Sequence, residues 1–477
     1  MTQNNDTETK TSETAATATK PSSMERLTEL ATTGPARLLW RYSLPAVVGM
    51  LVMSLYNVVD RIFLGQGVGP EAIAGLAITF PVMNLSAAMG VLIGAGGAAR
   101  ISIMLGADDR RGAEITLGNS LVLLLINCTV YLTIFAVFID DILLMFGASP
   151  VTLPYARDFM LFIMPGMMFM NLTFSFNNFM RASGYPTRAM VTMFIGAGCN
   201  VILAPVFIFV LGLGIKGAAM ATDISMFVSM CFVMAHFFNR RVTVRFRRGT
   251  FRLRWRYVGA IIAIGAAPSL VNAAGSAVNV IINTTLYRHG GDLDIAAAGI
   301  FTTFTSVIVM VIVGICQGMQ PIVGYNYGAR KIDRVRRTVM VAAGVSTVLA
   351  TLGGAFGLAF PGLVARAFTT SQSLIDSTSM ALGTALWAFW MVGFQIVATT
   401  FFQSIGKAGK SIFLSLSRQV IFLIPLLLTL PHTFGLRGVW MSFPISDTCA
   451  TVVTAALIIW QFHRLSRERT SYSPESI

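Results

Sequence analysis

Three carboxylates stand inside stretches that otherwise read as membrane-crossing helices: Asp60, Asp223 and Asp447. A carboxylate in hydrocarbon costs roughly 2.5–3.5 kcal/mol on insertion scales, so each needs a partner or a purpose. Asp60 lies in "YNVVDRIFLG", with Asn57 three residues before it and Tyr56 four before. That spacing puts all three on one helical face, lining a cavity or forming a buried hydrogen-bond cluster. At a rise of about 1.5 Å per residue, Asp60 is roughly 8 Å from the far end of its helix. Low dielectric disfavours the charged form of a carboxyl. A group so placed can bind and release a proton, and a nearby cation can displace that proton. Asp60 is the expected cation-coupling residue.

The other two acids have plainer readings beside the functional one. Asp223 lies roughly 10 Å from the same end of its own helix, where a hydrogen bond to Ser or Thr would also hold it. Asp447 can pair structurally with Arg418 on the neighbouring span. Asn279, Asn283, Gln317 and Gln395 are uncharged polar residues that, with Tyr56 and Asn57, are the expected substrate-cavity set. Each is equally able to make an ordinary interhelical hydrogen bond. Pro45 and Pro268 lack an amide hydrogen and are expected to kink their helices, which would move Asp60 relative to its neighbours.

The elements that must position these residues are membrane spans. The chain has 477 residues, 55% of them hydrophobic and 12% charged, with mean hydropathy +0.71. A soluble chain carries about twice that charged fraction. Runs such as "LVLLLINCTVYLTIFAVF" reach, with their flanks, the roughly 20 residues that cross a bilayer as a helix. Loop signals place twelve spans, near 38–65, 71–99, 113–139, 153–181, 187–211 and 216–239, then 256–288, 294–322, 334–360, 376–404, 410–430 and 437–463. Residues 1–36 are polar, without the apolar stretch of a signal peptide, and are expected to be a disordered tail.

An even span count leaves both termini on one side. Most of the 35 Lys and Arg fall on that side, eight of them between Arg240 and Arg256, so the positive-inside rule puts both termini in the cytoplasm. The net charge of +14 is then a membrane-surface feature, and no nucleic-acid partner is expected.

The chain also repeats itself with a shift of about 220 residues: Pro45 with Pro268, "GLAITF" with "GIFTTF", "LGA" with "YGA", "GIKGAAM" with "GLRGVWM". Six spans per copy make the copies parallel, a plan used by secondary transporters with a cavity between two lobes. The expected fold is all-α integral membrane, twelve transmembrane helices in two pseudo-symmetric six-helix lobes. The N-lobe is 37–239, a basic cytoplasmic linker 240–255, the C-lobe 256–463, and a cytoplasmic tail 464–477.

Several motifs carry no chemistry. "GLGIKG" (Gly212–Gly217) matches GxGxxG but joins two apolar spans with no strand before it, so it reads as a tight turn. "GAGGAA" (Gly94–Ala99) reads as close helix packing through small residues. There is no phosphate-binding GxxxxGK[ST], the four histidines lack metal spacing, and the five cysteines are scattered singly. No metal or organic cofactor is expected, and no enzyme site stands out.

The stretches "SLPAVVGMLVMSLYNVVDRIFLG", "AGLAITFP", "ASGYPTRAM", "QGMQPIVGYNYGARK", "LSLSRQVIFLIPLLL" and "GLRGVWMSFPISD" resemble the multidrug and toxic compound extrusion (MATE) family, in its MepA-like bacterial branch. The resemblance runs from Arg37 to about His463. It implies a V-shaped transporter of the inner (plasma) membrane that exports cationic or amphipathic organic compounds by alternating access, in antiport with H+ or Na+. It implies a central role for the first-helix aspartate, here Asp60, with a helix-five asparagine, here Asn200 in "NVILAP". The family's acid in that second motif is Ala204 here, and Asp223 on the sixth helix is expected to replace it. The seventh-helix glutamate of sodium-coupled relatives has no counterpart; that span offers Asn272, Asn279 and Asn283. The expected partners are small organic cations and the lipid bilayer, with the protein a monomer. The alternative is a flippase for a lipid-linked saccharide of the same superfamily.

Overall fold

The computed structural model describes residues 23–67, 70–150 and 152–470, and among them there is no strand. A short helix α1 (Ser23–Thr32) precedes the first half, which contains α2 (Pro35–Gly67), α3 (Pro70–Gly106), α4 (Arg110–Val137), α5 (Ile139–Met145), α6 (Leu153–Ala182), α7 (Pro186–Pro205) and α8 (Gly214–Phe238). The second half contains α9 (Trp255–His289), α10 (Asp292–Gly328), α11 (Ile332–Ala359), α12 (Pro361–Arg366), α13 (Gln372–Ala385), α14 (Phe389–Ser404), α15 (Ala408–Leu416) and α16 (Ile424–Thr470). Two π-helical turns, Val206–Val210 and Ser417–Leu423, extend α7 and join α15 to α16.

Ten helical stretches among the described residues are long and apolar enough to cross a membrane. One of them, Ala408–Leu465, has 58 residues and would be about 87 Å long if straight, against a hydrocarbon core of about 30 Å. It turns at Gly435, whose φ of 56° and ψ of −139° leave the helical region, and so makes two crossings. α13 and α14 meet at a 60° bend and together form one more. The described residues thus form a multi-pass membrane protein with twelve crossings, six in each half.

The repeat is written into the backbone at its turns. Asp108 (φ 59°) and Arg330 (φ 58°) both take the left-handed conformation, 222 residues apart. So do Gly184 and Gly406, also 222 apart, and Gly214 and Gly435, 221 apart. Non-glycine residues rarely adopt this region. Its recurrence at matched positions shows that the two halves turn their helices the same way.

Each lobe has its own apolar core. Two clusters fill the first half, one around Phe176, Phe179 and Phe237, the other around Phe159, Met160 and Ile163. A third, including Trp440, Phe401 and Phe402, fills the second half. The lobes touch through small residues that let backbones approach. A Cβ on Gly96 would lie 2.0 Å from the Ile261 carbonyl oxygen, one on Gly265 1.7 Å from that of Leu92, and one on Gly328 2.0 Å from that of Ile103. All these contacts lie on the half of the bundle nearest the chain termini. Toward the opposite end, Gly275 and Gly299 meet nothing within 4 Å. The close backbone approaches between the lobes thus gather at the basic end.

Two segments differ from the expectation. Ser23–Thr32, placed in a disordered tail, is a helix because its sequence is amphipathic: Leu30 is fully buried in the C-lobe core. The carbonyl of Leu30 accepts from Asn326 Nδ2 at 3.2 Å, and Arg334 donates to the carbonyl of Thr33. Residues 1–22 lie outside the described residues. The basic linker, expected only as a cytoplasmic connection, is docked on the N-lobe. Asn119 on α4 donates to the carbonyls of Thr250 (3.0 Å) and Arg252 (3.1 Å) and accepts from the Arg254 amide (2.8 Å). Arg247 pairs with the buried Glu114 at 3.0 Å.

Candidate functional site

Helix α2 belongs to both lobes. Before Pro45, Leu38, Leu39 and Tyr42 enter the C-lobe core, and Ser43 Oγ donates to the Ile315 carbonyl at 3.2 Å. Further along, Gly49 seats the Met193 side chain and Tyr56 meets α7. The polar residues of the first half therefore gather where α2, α7 and α8 converge.

Asn200 is the centre of that group. It is 1% exposed, and its Nδ2 donates to Thr222 Oγ1 at 3.0 Å and to the Tyr56 hydroxyl at 3.5 Å. Asp60 is half-buried one turn beyond Tyr56, within electrostatic reach of the hydroxyl. The Asn57 side chain lies outside the described residues. Asp223 follows Thr222 but turns toward α6 instead: its Oδ1 lies where a Cβ on Gly166 would come to 1.8 Å. That oxygen is buried and has no hydrogen-bond partner among the described residues. Ala204 is fully buried in the apolar core, so an acid there would have been desolvated by packing.

In the second half, Asn279 and Asn283 are exposed on α9. Asn283 falls 15 residues after Pro268, as Asp60 falls 15 after Pro45, so the coupling acid has an uncharged counterpart in the other lobe. The other two cavity expectations need correction. Gln317 sits in the closed seam, against Arg181, Asn178 and Gln320, in a space that excludes water. Gln395 is 5% exposed, and its Nε2 donates to the Asp447 carbonyl and to Thr451 Oγ1, both at 2.7 Å. It supports α16 rather than lining a cavity. The Arg418–Asp447 pair is formed, Nε to Oδ1 at 2.7 Å. Pro45 and Pro268 are both inside their helices.

Some features were not singled out from the sequence. Within the N-lobe a cavity of about 210 Å³ is lined by Met53, Met170, Met193, Met226 and Phe174. Three buried oxygens at its wall, Thr173 Oγ1, Asn177 Oδ1 and Ser229 Oγ, have no hydrogen-bond partner among the described residues. Nearby, Asn171 Nδ2 donates to the Tyr131 hydroxyl at 2.7 Å and to Ser86 Oγ at 3.0 Å, tying α6 to α4 and α3. Helix-spaced Met and Asn were visible in the sequence, but nothing there distinguished a cavity wall from a lipid-facing or core residue. Among the described residues no group of three His, Cys, Asp or Glu could hold a metal ion.

Two parallel six-helix lobes, closed together at one end, with ionisable groups at membrane depth, follow the plan of a secondary membrane transporter. The MatE family model matches residues 45–206 and 268–429, one match in each lobe, and the chain belongs to that family of membrane transporters. It is 26% identical to the multidrug export protein MepA of Staphylococcus haemolyticus (strain JCSC1435), over 91% of this chain and 96% of that protein. It is similar to a solved MATE structure in the bent conformation, with TM-score 0.88 and 26% identity, covering 93% of this chain and 99% of that one. It is also similar to the outward-facing conformation of a multidrug resistance MATE family transporter, with TM-score 0.86 and 27% identity, covering 92% and 98%.

Proposed function

We propose that this protein is a secondary active multidrug exporter. It expels cationic or amphipathic organic compounds in exchange for H+ or Na+, with Asp60 binding the coupling cation. The observation that carries the reading is the joining of α2, α7 and α8 through Tyr56, Asn200 and Thr222 beside that half-buried carboxylate. Cation binding at Asp60 would change the charge on α2, the helix that also packs into the C-lobe core, so occupancy and lobe position are linked. Similarity to MepA over nearly its whole length supports export as the direction. With both termini cytoplasmic by the charge rule, the closed end faces the cytoplasm and the protein is open outward. The methionine-lined cavity suits varied apolar bodies, because Met side chains adapt their shape. Asp223 serves as the second acid of the N-lobe, and the protein works as a monomer.

The test uses purified protein in liposomes loaded with a fluorescent organic cation, under a pH gradient alone and a sodium gradient alone. Movement driven by one gradient and lost in Asp60→Asn identifies the ion and the residue. Equal driven movement in both proteins would demote Asp60 to packing. No driven movement in the native protein would turn the reading toward lipid-linked saccharides.

A further inference from the structure

The C-lobe holds an ionisable centre of opposite character, and neither the coupling site nor the methionine cavity uses it. Arg418 lies about 15 Å into its span counted from Ala408, and Asp447 about 18 Å into its own counted from Gly435. Both are therefore near the bilayer midplane. The Asp447 side chain is 8% exposed and the Arg418 side chain 32%. A charged head at that depth is tolerated where it faces the bundle interior or a water-filled cavity, and it is too deep to reach the membrane surface. The π-helical turn that carries Arg418 packs against α16 and α9, and α9 is the helix whose opposite end seals the lobes. The cost of a charge in hydrocarbon assigns the exposed part of Arg418 to the cleft side of the C-lobe rather than to lipid.

The way Arg418 is held matters more than its presence. Nε is taken by Asp447, and its carbonyl accepts from Ser446 Oγ at 2.7 Å. Gln395 fixes the Asp447 backbone from behind. Among the described residues nothing accepts from Nη1 or Nη2, and neither nitrogen is buried. A guanidinium anchored through Nε and free at its terminal nitrogens is a preorganised fork for a planar oxyanion.

We infer that Arg418, positioned by Asp447, is an anion-recognition site on the C-lobe wall of the cleft, and that it takes the carboxylate of an amphiphile whose cationic centre faces the N-lobe acids. This rests on the organic-cation reading above and narrows it to compounds that also carry an acidic group. With Asn283 in place of an acid at the position matching Asp60, the C-lobe wall has no competing carboxylate on that turn of α9.

The test is a pair of fluorescent xanthene cations differing only at one carboxyl: rhodamine 110, with the free acid, and rhodamine 123, its methyl ester. Dissociation constants are measured by fluorescence polarisation on the purified full chain. A charge-assisted fork should favour the acid over the ester on the order of tenfold or more. Arg418→Lys, which keeps the charge and loses the fork, should reduce that preference. The double variant Arg418→Gln with Asp447→Asn, which leaves no buried charge unpaired, should bring it to about unity. A native protein that does not prefer the acid, or a preference unchanged in the double variant, overturns the assignment while leaving the organic-cation reading in place. Failure of the native protein to bind either dye removes both.

Discussion

Asn200 joins three helices through one amide, and its value lies in that geometry. Replacing it with leucine removes the donor to Thr222 and Tyr56 and leaves their hydroxyls in an apolar setting, at a cost of about 1–3 kcal/mol. We expect Asn200→Leu to lower the melting temperature in detergent and to weaken gradient-driven transport. Asn200→Asp, which keeps an acceptor but adds a second acid near Asp60, should retain the fold and alter the ion preference. Thermal unfolding beside liposome flux separates the two effects. At this scale the sequence was partly legible. Asp60 and Tyr56 could be picked out because polar groups in apolar helices are expensive, and Asn200 through the family resemblance of "NVILAP". Gln317 and Gln395 looked the same by that criterion, and only their neighbours show one in the closed seam and the other bracing Asp447.

Helix contacts set where the side chains point. Asp223 follows Thr222 along α8, yet its carboxylate turns to α6 because Gly166 leaves room for it. Gly166→Ala would place a methyl group 1.8 Å from Oδ1, and overpacking of this kind costs about 1–3 kcal/mol. We expect that variant to fold, to displace Asp223 and to lose ion-driven transport, the same outcome expected of Asp223→Asn. Transport at the native level in Gly166→Ala would show that the seat is irrelevant. The linker offers a second test. Asn119 makes three bonds to residues 250–254. Asn119→Leu should free that segment and speed its cleavage by trypsin at the arginines between 245 and 254, with the spans left intact on a gel. The twelve spans and the glycine turns were legible, since length, hydropathy and turn residues are local properties. The docking of the linker was not, because it depends on a polar residue more than a hundred positions away.

The molecule as a whole is a pair of lobes sealed by backbone approach at one end. Because glycines make that seal, adding a side chain should wedge it. Gly96→Val places atoms where the Ile261 carbonyl now lies, and relief comes by parting the lobes or by distorting α3. We expect Gly96→Val to shift the population toward the state open at the basic end. In a background without other cysteines, Ser102→Cys, buried in the present state, should then react faster with a water-soluble thiol reagent. An unchanged rate would mean that the seam does not control access.

The amino-acid sequence alone determined the membrane class, the count of spans, the parallel duplication and which acids stand inside apolar spans. Each follows from local hydropathy, from repeated short motifs or from the cost of a charge in hydrocarbon. The tertiary structure decided the rest: which end is closed, which lobe holds each half of α2, that Asp223 rests against Gly166, and that Arg418 keeps its terminal nitrogens free behind an Asp447 anchor. These depend on which helices lie side by side. Neighbours in space come from contacts between residues tens to hundreds of positions apart, and no property of a single stretch of chain encodes them.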